Sequence, residues 1–399
     1  KKGKPKSLPG PKEKERTMAY PKIDFLYLSE PDMIEAGVTN TVECTDTMEE
    51  VLKLLNKGDY RMGGENGNSH GCMVFFPDDP KYAEFPNMPK DGPDRRFMCM
   101  PAYLGGKFDM AGVKWYGSNV ENREKGLPRS ILMVTLNDKD TGAPVAHMSA
   151  NLISAYRTAS IPGVGVKHLA RKDAKVLGIV GPGVINSITV ECFAKLRPTL
   201  DTLKIKGRGK ESIERCIEYV KEKCPQFTTI EVVDTIEECV KGSDIMSFAT
   251  STPTGGQESY PYVDPSRIKP GALLCAPGAL NTAEELIMDP KTKLVVDNTG
   301  LYESWAEEYP YPTFDTWFLI GSKFTDMIHE GKLEPERMED LGAILNGKIP
   351  GRESDDQIII YSIGGMPIED VAWGKTVYEH AIEKGIGTKL NLWDKPYLY

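Results

Sequence analysis

The residues best suited to chemistry in this sequence lie in a glycine turn between an apolar run and an amphipathic segment. Residues 176–180 are all apolar or glycine, which is typical of a strand buried on both faces. A tight turn follows, and apolar residues then recur at helical spacing. Such a strand, turn and helix can bind a dinucleotide pyrophosphate, because the helix N-terminus offers free N–H groups and partial positive charge. The expected contacts are Gly181, Pro182, Gly183, Val184 and Ile185.

The match to the dinucleotide fingerprint G-x-G-x-x-G is partial. Asn186 replaces the third glycine. A bare Gly-x-Gly also occurs in ordinary strand-to-helix turns, so the motif alone leaves both interpretations open. The order of the surrounding elements favours the nucleotide site.

The end of the next predicted strand indicates which dinucleotide binds. Folds specific for NAD carry an Asp or Glu about 20 residues past the glycine turn, where it accepts hydrogen bonds from the ribose 2′-hydroxyl. Here the strand ends in Lys206-Gly-Arg208-Gly-Lys210, with no carboxylate at its tip. We therefore expect Lys206 and Arg208 to favour NADP(H), with NAD(H) possible, although a solvated basic turn would have the same composition.

The elements that position this turn alternate along the chain. Strands are predicted at 202–206, 228–233, 244–249, 272–276 and 293–296, with helices at 211–223 and 236–240. Alternating strands and helices predict an α/β fold with a Rossmann-type doubly wound parallel sheet, here from about residue 171 to 325.

The flanking segments have a different pattern. Strands are predicted at 72–76, 97–103 and 112–116, a β-hairpin joins 129–136 to 144–148, and a short helix spans 47–55. A helix at 149–170 should be interrupted near Pro162 and Gly163. A late strand and helix between 358 and 383 should pack back on this first part, because they cannot form a core alone. Residues 1–17 are rich in Lys, Pro and Gly and predict a disordered tail.

Composition excludes several classes of function. The net charge of −9 gives no large positive field for nucleic acid or an anionic membrane, and no apolar run approaches the ~20 residues of a membrane span. The eight cysteines are scattered without a C-x-x-C pair, and no signal-peptide pattern opens the sequence, so a reducing, cytoplasmic compartment is expected. The five histidines show no metal-ligand spacing, and no metal is expected.

Five segments together carry a family resemblance. They are MPAY at 100–103, GVKWYGSN at 112–119, TGAP at 141–144, SAYRTAS at 154–160 and GGMPIEDVA at 364–372. In this order the chain resembles the ornithine cyclodeaminase/μ-crystallin family over residues 27–393. Members include cyclodeaminases of ornithine and lysine, imino-acid reductases, amino-acid dehydrogenases and a lens protein that binds NADPH.

The resemblance implies a homodimer of two-domain subunits. A nucleotide-binding domain is expected at 166–334, and an α+β domain for substrate binding and dimerisation at 18–165 plus 335–399. Further cofactor contacts are expected at Thr158, within SAYRTAS, and at Thr250, Ser251 and Thr252, after the strand at 244–249.

Two basic residues match active-site positions of the family. Arg157 corresponds to the arginine that binds the substrate carboxylate, and a guanidinium suits a planar carboxylate in a bidentate pair. Lys114 corresponds to the active-site lysine. Lysine is a poor strand former, and desolvation would lower its pKa toward that of a proton donor to an imine nitrogen. The alternatives are a surface arginine on an amphipathic helix and an edge-strand lysine.

Two departures from the family pattern bear on the substrate. Met73 stands where many members carry an arginine, and Leu280 stands where the cyclodeaminases carry an aspartate. The nearest carboxylate after Leu280 is Glu284. Both losses argue against ornithine cyclisation. Arg129, at the base of the hairpin, can restore a positive charge to the substrate pocket near Met73 or lie in solvent.

Three functions follow from these residues. The first is an NAD(P)H-dependent reductase of α-imino acids or dehydrogenase of α-amino acids, with Lys114 as proton donor and Arg157 as carboxylate clamp. The second is a cyclodeaminase that uses NAD+ catalytically and releases ammonia. The third is an NADPH-binding protein without activity, against which Lys114 and Arg157 argue.

Overall fold

The fold is taken from a computed structural model, which describes residues 21–79, 81, 85–92, 94–251 and 255–398. The predicted tail at 1–17 and the predicted cofactor contact Thr252 lie outside the described residues.

The described part of the chain contains eighteen strands and twelve α-helices, numbered in chain order. The strands are β1 Ile23–Leu28, β2 Tyr60–Met62, β3 Cys72–Phe75, β4 Arg96–Leu104, β5 Met110–Ser118, β6 Ser130–Asn137, β7 Pro144–Ser149, β8 Val176–Val180, β9 Thr202–Lys206, β10 Thr229–Val232, β11 Ile245–Phe248, β12 Tyr262–Val263, β13 Leu273–Ala276, β14 Asn281–Thr282, β15 Lys293–Val296, β16 Met338–Asp340, β17 Ile359–Ser362 and β18 Thr388–Trp393. The helices are α1 Glu30–Ala36, α2 Thr41–Lys57, α3 Asn151–Leu169, α4 Val184–Leu196, α5 Lys210–Lys223, α6 Ile236–Val240, α7 Glu284–Met288, α8 Thr299–Glu308, α9 Thr313–Thr316, α10 Ile320–His329, α11 Leu341–Leu345 and α12 Pro367–Lys384.

The first large sheet is built from the two ends of the chain. Its order is β18-β1-β7-β6-β5-β4-β2, with β3 also paired to β4. Neighbours are antiparallel except β1 and β7. Burial alternates along β5, where Lys114 and Tyr116 are buried and Trp115 between them is exposed. The inner face therefore packs under α12, which crosses β4, β5 and β6, and the outer face is open.

The second large sheet is the predicted doubly wound sheet. Its order is β10-β9-β8-β11-β13-β17-β15-β16, and every neighbouring pair is parallel. β11, β13, β15 and β17 are buried at every residue. Strands buried on both faces explain why their sequences are mostly apolar and do not alternate. The prediction of a Rossmann-type parallel sheet is confirmed.

The late strand lies elsewhere than expected. We expected the strand near 358 to pack on the first part of the chain, but β17 pairs with both β13 and β15 in the parallel sheet. β16 also joins this sheet, beside β15. Only α12 and β18 return to the antiparallel sheet. The segment 335–399 is thus divided between the two sheets, because the apolar residues of β17 are buried by strands on either side of them.

α3 is a single helix from Asn151 to Leu169, without the predicted interruption at Pro162. A proline inside a helix costs about 3 kcal/mol, so packing must compensate. Two glycines let α3 approach its neighbours closely. A Cβ added at Gly163 would lie 2.6 Å from Cys192 Sγ of α4, and one at Gly165 would lie 2.7 Å from the ring of Tyr361 in β17.

α2 also extends beyond its predicted bounds of 47–55. It begins after Asn40, whose side chain accepts a hydrogen bond from the Glu43 backbone N–H at 3.3 Å. Buried threonines in its first turns conceal the apolar periodicity from the sequence, which is why the prediction began too late. No helix in the described part of the chain has both the length and the apolarity needed to cross a membrane.

Candidate active site

The glycine turn lies at the carboxyl edge of the parallel sheet. Gly181 has φ +90°, a backbone conformation that favours glycine, and an added Cβ would lie 2.6 Å from the Ala249 carbonyl oxygen. Gly183 caps the N-terminus of α4, with no side chain bonded to the free N–H groups and no atom within 4 Å of an added Cβ. The turn therefore leaves an open space in front of unpaired backbone donors.

A dinucleotide pyrophosphate fits this space. The first three N–H groups of α4, from Val184, Ile185 and Asn186, have no partner within the helix. Pro182 is buried and packs against Gly207, so the turn is rigid. Just beyond β11, Thr250 Oγ1 is buried without a hydrogen-bond partner among the described residues, and Ser251 beside it is exposed. An orphaned hydroxyl at this edge is available to a bound ligand.

Asn186 explains the incomplete fingerprint. Its side chain is fully buried, and Nδ2 donates to the carbonyl oxygens of Val180 at 3.1 Å and Gly181 at 2.9 Å. Its Oδ1 accepts from the Ser247 hydroxyl at 2.7 Å. The amide thus joins the ends of β8 and β11 at a place where a glycine would allow closer packing without these bonds.

The basic segment lies where the sequence predicts, at the end of β9. Lys206 Nζ donates to the Asp234 carbonyl oxygen at 2.6 Å, which holds its charge near the turn. Arg208 is exposed and forms no ion pair with any described residue. Both residues line a shallow surface depression between α5 and the end of β10.

Lys114 is buried on the inner face of the antiparallel sheet. Its side chain is 3% exposed, and Nζ donates to Asp370 Oδ2 at 2.8 Å. The ammonium also lies 5.7 Å from the centre of the Tyr116 ring. The lysine is therefore not an edge-strand lysine in solvent; it is held by a carboxylate from the first turn of α12.

Arg157 projects from α3 toward the same carboxylate. Its Nε donates to Asp370 Oδ1 at 3.2 Å, and its Nη2 lies 3.2 Å from Asp370 Oδ2. Its Nη1 donates to Glu369 Oε2 at 2.9 Å. The structure thus brings Lys114 and Arg157 together through Asp370. Thr158, the next residue on α3, is half-buried.

Burial sets the protonation of this cluster. It lowers the pKa of Lys114 to about 8, with a further contribution from the charge of Arg157. It raises the pKa of Glu369 to about 8. Burial also disfavours the charged form of Asp370, but Arg157 and Lys114 outweigh it and hold the pKa of Asp370 below its usual range. Near neutral pH the cluster therefore pairs two cations with one carboxylate and a largely protonated Glu369.

Glu369 has one oxygen free. Oε2 accepts hydrogen bonds from Arg157 Nη1 and, at 3.0 Å, from the Met366 backbone N–H. Oε1 is buried and has no partner among the described residues. The proton of the neutral carboxyl group therefore belongs on Oε1, since Oε2 already accepts two hydrogen bonds.

The sequence analysis missed His70 as a site residue. It lies in the loop before β3, and its Nδ1 is 2.7 Å from the Gly365 carbonyl oxygen. The imidazole contacts Trp305 and Trp317, with ring centres 5.8 and 6.3 Å away. Desolvation and the charge of Lys114 lower the pKa of His70 to about 3, so the ring is neutral. The sequence signal that could have identified it is its position in a loop shortly before Met73, which stands where many family members carry an arginine.

The acidic members of the cluster were also missed. Glu369 and Asp370 were quoted only as part of GGMPIEDVA, and Asp297 was not singled out. Asp297 Oδ2 accepts from the N–H groups of Gly364 and Gly365 at 2.8 and 2.9 Å, which fixes the turn between β17 and α12. Burial raises the pKa of Asp297 to about 6.

Met73 and Arg129 lie farther out on the same face. Met73 packs with Met98, Met100 and Tyr116 in a small apolar cluster. Arg129 is 41% exposed and forms an ion pair with Asp94 at 2.9 Å. Among the described residues, no hydrogen bond or ion pair joins Met73 or Arg129 to Lys114 or Arg157.

Neither Leu280 nor the nearest following carboxylate, Glu284, brings a carboxylate to the cluster of Lys114 and Arg157. Leu280 is fully buried in the core. Glu284 is partly exposed and paired with Lys332 Nζ at 2.9 Å, at the start of α7. Within the residues that the structure describes, no group of three or more His, Cys, Asp or Glu side chains is arranged to hold a metal ion.

Comparison with known proteins supports the family resemblance found in the sequence. The model of the ornithine cyclodeaminase/mu-crystallin family matches residues 38–385. N-((2S)-2-amino-2-carboxyethyl)-L-glutamate dehydrogenase of Staphylococcus aureus is 26% identical over 372 residues, which are 93% of this chain and 99% of the relative. Alanine dehydrogenase of Archaeoglobus fulgidus is 28% identical over 298 residues, 73% of this chain and 82% of the relative.

A solved structure shares the fold. Δ1-pyrroline-2-carboxylate reductase of Thermococcus litoralis, in complex with NADH and L-proline, aligns with a TM-score of 0.70 at 24% identity. The alignment covers 91% of this chain and 99% of that one. The chain belongs to the ornithine cyclodeaminase/μ-crystallin family.

Proposed function

We propose that this protein is an NAD(P)-dependent oxidoreductase that interconverts an α-amino acid and its α-imino acid. The observation that carries the proposal is the buried cluster in which Lys114 and Arg157 share the carboxylate of Asp370. It joins a proton donor of lowered pKa to a carboxylate-binding cation. The relatives named N-((2S)-2-amino-2-carboxyethyl)-L-glutamate dehydrogenase and alanine dehydrogenase support this class of substrate.

Arg157 would bind the α-carboxylate of the substrate. A guanidinium has five N–H donors, and the contacts to Asp370 and Glu369 engage one on each nitrogen. Each terminal nitrogen therefore keeps one N–H for the substrate. Such a clamp fixes the reacting carbon, and fixed geometry can supply roughly 7–11 kcal/mol of the reduction in barrier.

Lys114 would give a proton to the imine nitrogen during reduction and accept one in the reverse direction. Its pKa of about 8 lies near the operating pH, where a proton donor works best. The bond to Asp370 fixes Nζ against the inner face of β5.

The glycine turn, Thr158 and the residues after β11 would hold the dinucleotide. Gly181, Gly183 and the α4 N-terminus fit its pyrophosphate, and Thr250 Oγ1 supplies a free hydroxyl. When bound, the nicotinamide donates or accepts the hydride. Asp370 and Asp297 keep the protein groups that face the substrate in place.

We further propose a preference for NADPH over NADH. Exposed Arg208 and the adjacent Lys206 would pair with the 2′-phosphate, and a charge-assisted contact is worth about 1.5–3 kcal/mol. Arg208→Ala should therefore weaken NADPH binding roughly ten- to a hundredfold and leave NADH binding unchanged. The control is Arg215→Ala, on α5 and paired with Glu211 at 3.4 Å. The test is to measure the dissociation constants of NADPH and NADH for the wild type and both variants. Equal wild-type affinities for the two cofactors would contradict the preference.

The substrate side chain would extend along the inner sheet face, past Tyr116. Lys114, Tyr116 and Ser118 succeed one another on this face of β5, about 7 Å apart. Met73 would contact the aliphatic part of the side chain, and Arg129 with Arg96 would face its far end.

We also propose that the protein is a homodimer that pairs through the outer face of the antiparallel sheet. This face carries exposed apolar side chains from adjacent strands, and the rings of Phe97 and Trp115 stack with centres 5.7 Å apart. Its exposed apolar residues include Phe97, Trp115, Ile131, Met133, Leu390 and Leu392. An apolar face of this size marks an interface rather than a solvated surface.

We place the protein in the reducing cytoplasm, with a small amino or imino acid as its partner and no role in binding nucleic acid or membranes. All eight cysteines are free in the structure. The net charge of −9 disfavours polyanionic partners.

The deciding experiment follows reduced nicotinamide by absorbance and ammonia by a coupled assay. The panel should contain Δ1-pyrroline-2-carboxylate, α-keto acids with amines, and ornithine. Cofactor oxidation that is stoichiometric with an imino acid is expected. Release of ammonia from ornithine without net cofactor change would favour a cyclodeaminase, and binding of NADPH without either reaction would favour a binding protein.

A further inference from the structure

His70 has a fixed tautomer. The Gly365 carbonyl oxygen, 2.7 Å from Nδ1, can only accept a hydrogen bond, so Nδ1 must carry the proton. A neutral imidazole has one proton on nitrogen, and Nε2 is then a pure acceptor. Trp305 and Trp317 contact the ring and hold its plane.

His70 lies close to Arg157, the proposed carboxylate clamp. Gly365 separates His70 from Arg157, since a Cβ added at Gly365 would lie 2.6 Å from Arg157 Nη1. Gly365 is itself fixed by its N–H bond to Asp297 at 2.9 Å. Burial and, after it, the charge of Lys114 lower the pKa of the imidazole. Nε2 forms no hydrogen bond with any described residue, and the side chain is partly buried.

The remaining groups around the cleft are donors or are already occupied. Lys114 and Arg157 have only N–H donors, and both oxygens of Asp370 accept from them. Glu369 Oε2 already accepts two hydrogen bonds, and Oε1 is buried. Beside these groups, His70 Nε2 is a free acceptor for the N–H of a substrate.

We propose that His70 Nε2 accepts a hydrogen bond from the N–H of the reacting nitrogen and so selects preformed imines and amines over 2-oxo acids. The inference rests on the proposed function. A cyclic imine offers a proton to this acceptor only in its protonated, iminium form, and Lys114 then protonates the lone pair that forms on the same nitrogen as the carbon is reduced. A ketone oxygen offers none, and its lone pairs face those of Nε2. An unpaired buried polar group costs about 1–3 kcal/mol, or roughly 5- to 150-fold in kcat/KM.

Two substitutions test the roles of the two ring nitrogens of His70 separately. His70→Asn keeps an N–H near the place of Nδ1 and removes the Nε2 acceptor. His70→Gln keeps an acceptor oxygen near the place of Nε2 and loses the bond to Gly365. His70→Asn should lower kcat/KM for Δ1-pyrroline-2-carboxylate at least about tenfold. It should also reduce the ratio of kcat/KM for this imine to kcat/KM for pyruvate. His70→Gln should keep most of the activity toward the imine and most of this ratio.

A control histidine has a similar contact. His380 Nδ1 lies 3.2 Å from the Ala36 carbonyl oxygen, on the outer side of α12. His380→Asn should leave kcat/KM and the imine preference unchanged. Normal catalysis in His70→Asn together with impairment in His70→Gln would overturn the proposal, because His70 would then act only through Gly365.

A measurement without turnover completes the test. In wild-type protein labelled with 15N-histidine, the His70 signal is identified by its loss in His70→Asn. Nδ1 should be protonated in the free protein, and the Nε2 resonance should shift when NADP+ and L-proline are both added. A proton on Nε2 in the free protein, or an unmoved resonance in a ternary complex shown by calorimetry to form, contradicts the proposal. Failure of every imino acid to bind or react instead contradicts the proposed function.

Discussion

At the scale of single residues, the proposed chemistry depends on the proton of Lys114. Burial lowers its pKa to about 8, so the ammonium is present below that pH and is lost above it. For imine reduction, kcat/KM should therefore be level near pH 7 and fall as pH rises through about 8. Lys114→Met should lower kcat roughly 100- to 10,000-fold and abolish this fall, because no proton donor remains. A pH–rate profile of both proteins tests this prediction.

Glu369 provides the control for this profile, since its pKa is also about 8. Glu369→Gln keeps an amide oxygen for Arg157 and the Met366 N–H but cannot titrate. It should retain the fall in rate above pH 8. If the fall vanishes in Glu369→Gln and survives in Lys114→Met, the titrating proton belongs to Glu369 and Lys114 is not the donor.

At the scale of elements, the glycine turn departs from the dinucleotide fingerprint for a structural reason. Asn186→Gly would restore the third glycine yet remove the hydrogen bonds that join β8, β11 and the turn. It would also leave the buried Ser247 hydroxyl without its acceptor. We predict a loss of roughly 1–3 kcal/mol in the free energy of unfolding, measured by urea denaturation.

The matched change for this prediction is Val184→Ala, two residues earlier in the same helix. Val184 is 70% exposed, so its truncation should change the free energy of unfolding by no more than about 0.5 kcal/mol. A stability of Asn186→Gly equal to that of Val184→Ala would show that the amide network contributes nothing net.

The sequence predicted those elements whose signals are local. β9, α6 and β15 were placed at their observed bounds. β9 alternates apolar and polar residues, α6 follows a Thr235 cap, and β15 ends an apolar run before Asp297. The partners of β17 could not be predicted, since a buried parallel strand fits any neighbouring position in a sheet. Lys114 and Arg157 were found through motifs, but Asp370 lies more than 200 residues from either, and only folding joins them.

At the scale of the whole molecule, the open outer face of the antiparallel sheet predicts an assembly. Ile131 is 50% exposed on β6, and a charge there would be buried unpaired on dimerisation. Ile131→Glu should convert a dimer to a monomer in light scattering after gel filtration. Met288→Glu, a similar change at an exposed site on α7, should leave the dimer intact. A wild-type monomer, or a dimer in both variants, contradicts the proposed interface.

The position of β17 determines when this molecule can fold during synthesis. β13 and β15 do not touch as neighbours, because β17 lies between them, and its residues Ile359–Ser362 follow those of β15 by about 60 positions in the chain. A nascent chain that has reached residue 358 holds two separate pieces of one sheet, with a gap of one strand. α12 then follows directly and covers the other sheet. Both large sheets therefore lack part of their core until the segment with β17 and α12 is synthesised, and the two cores are completed almost together.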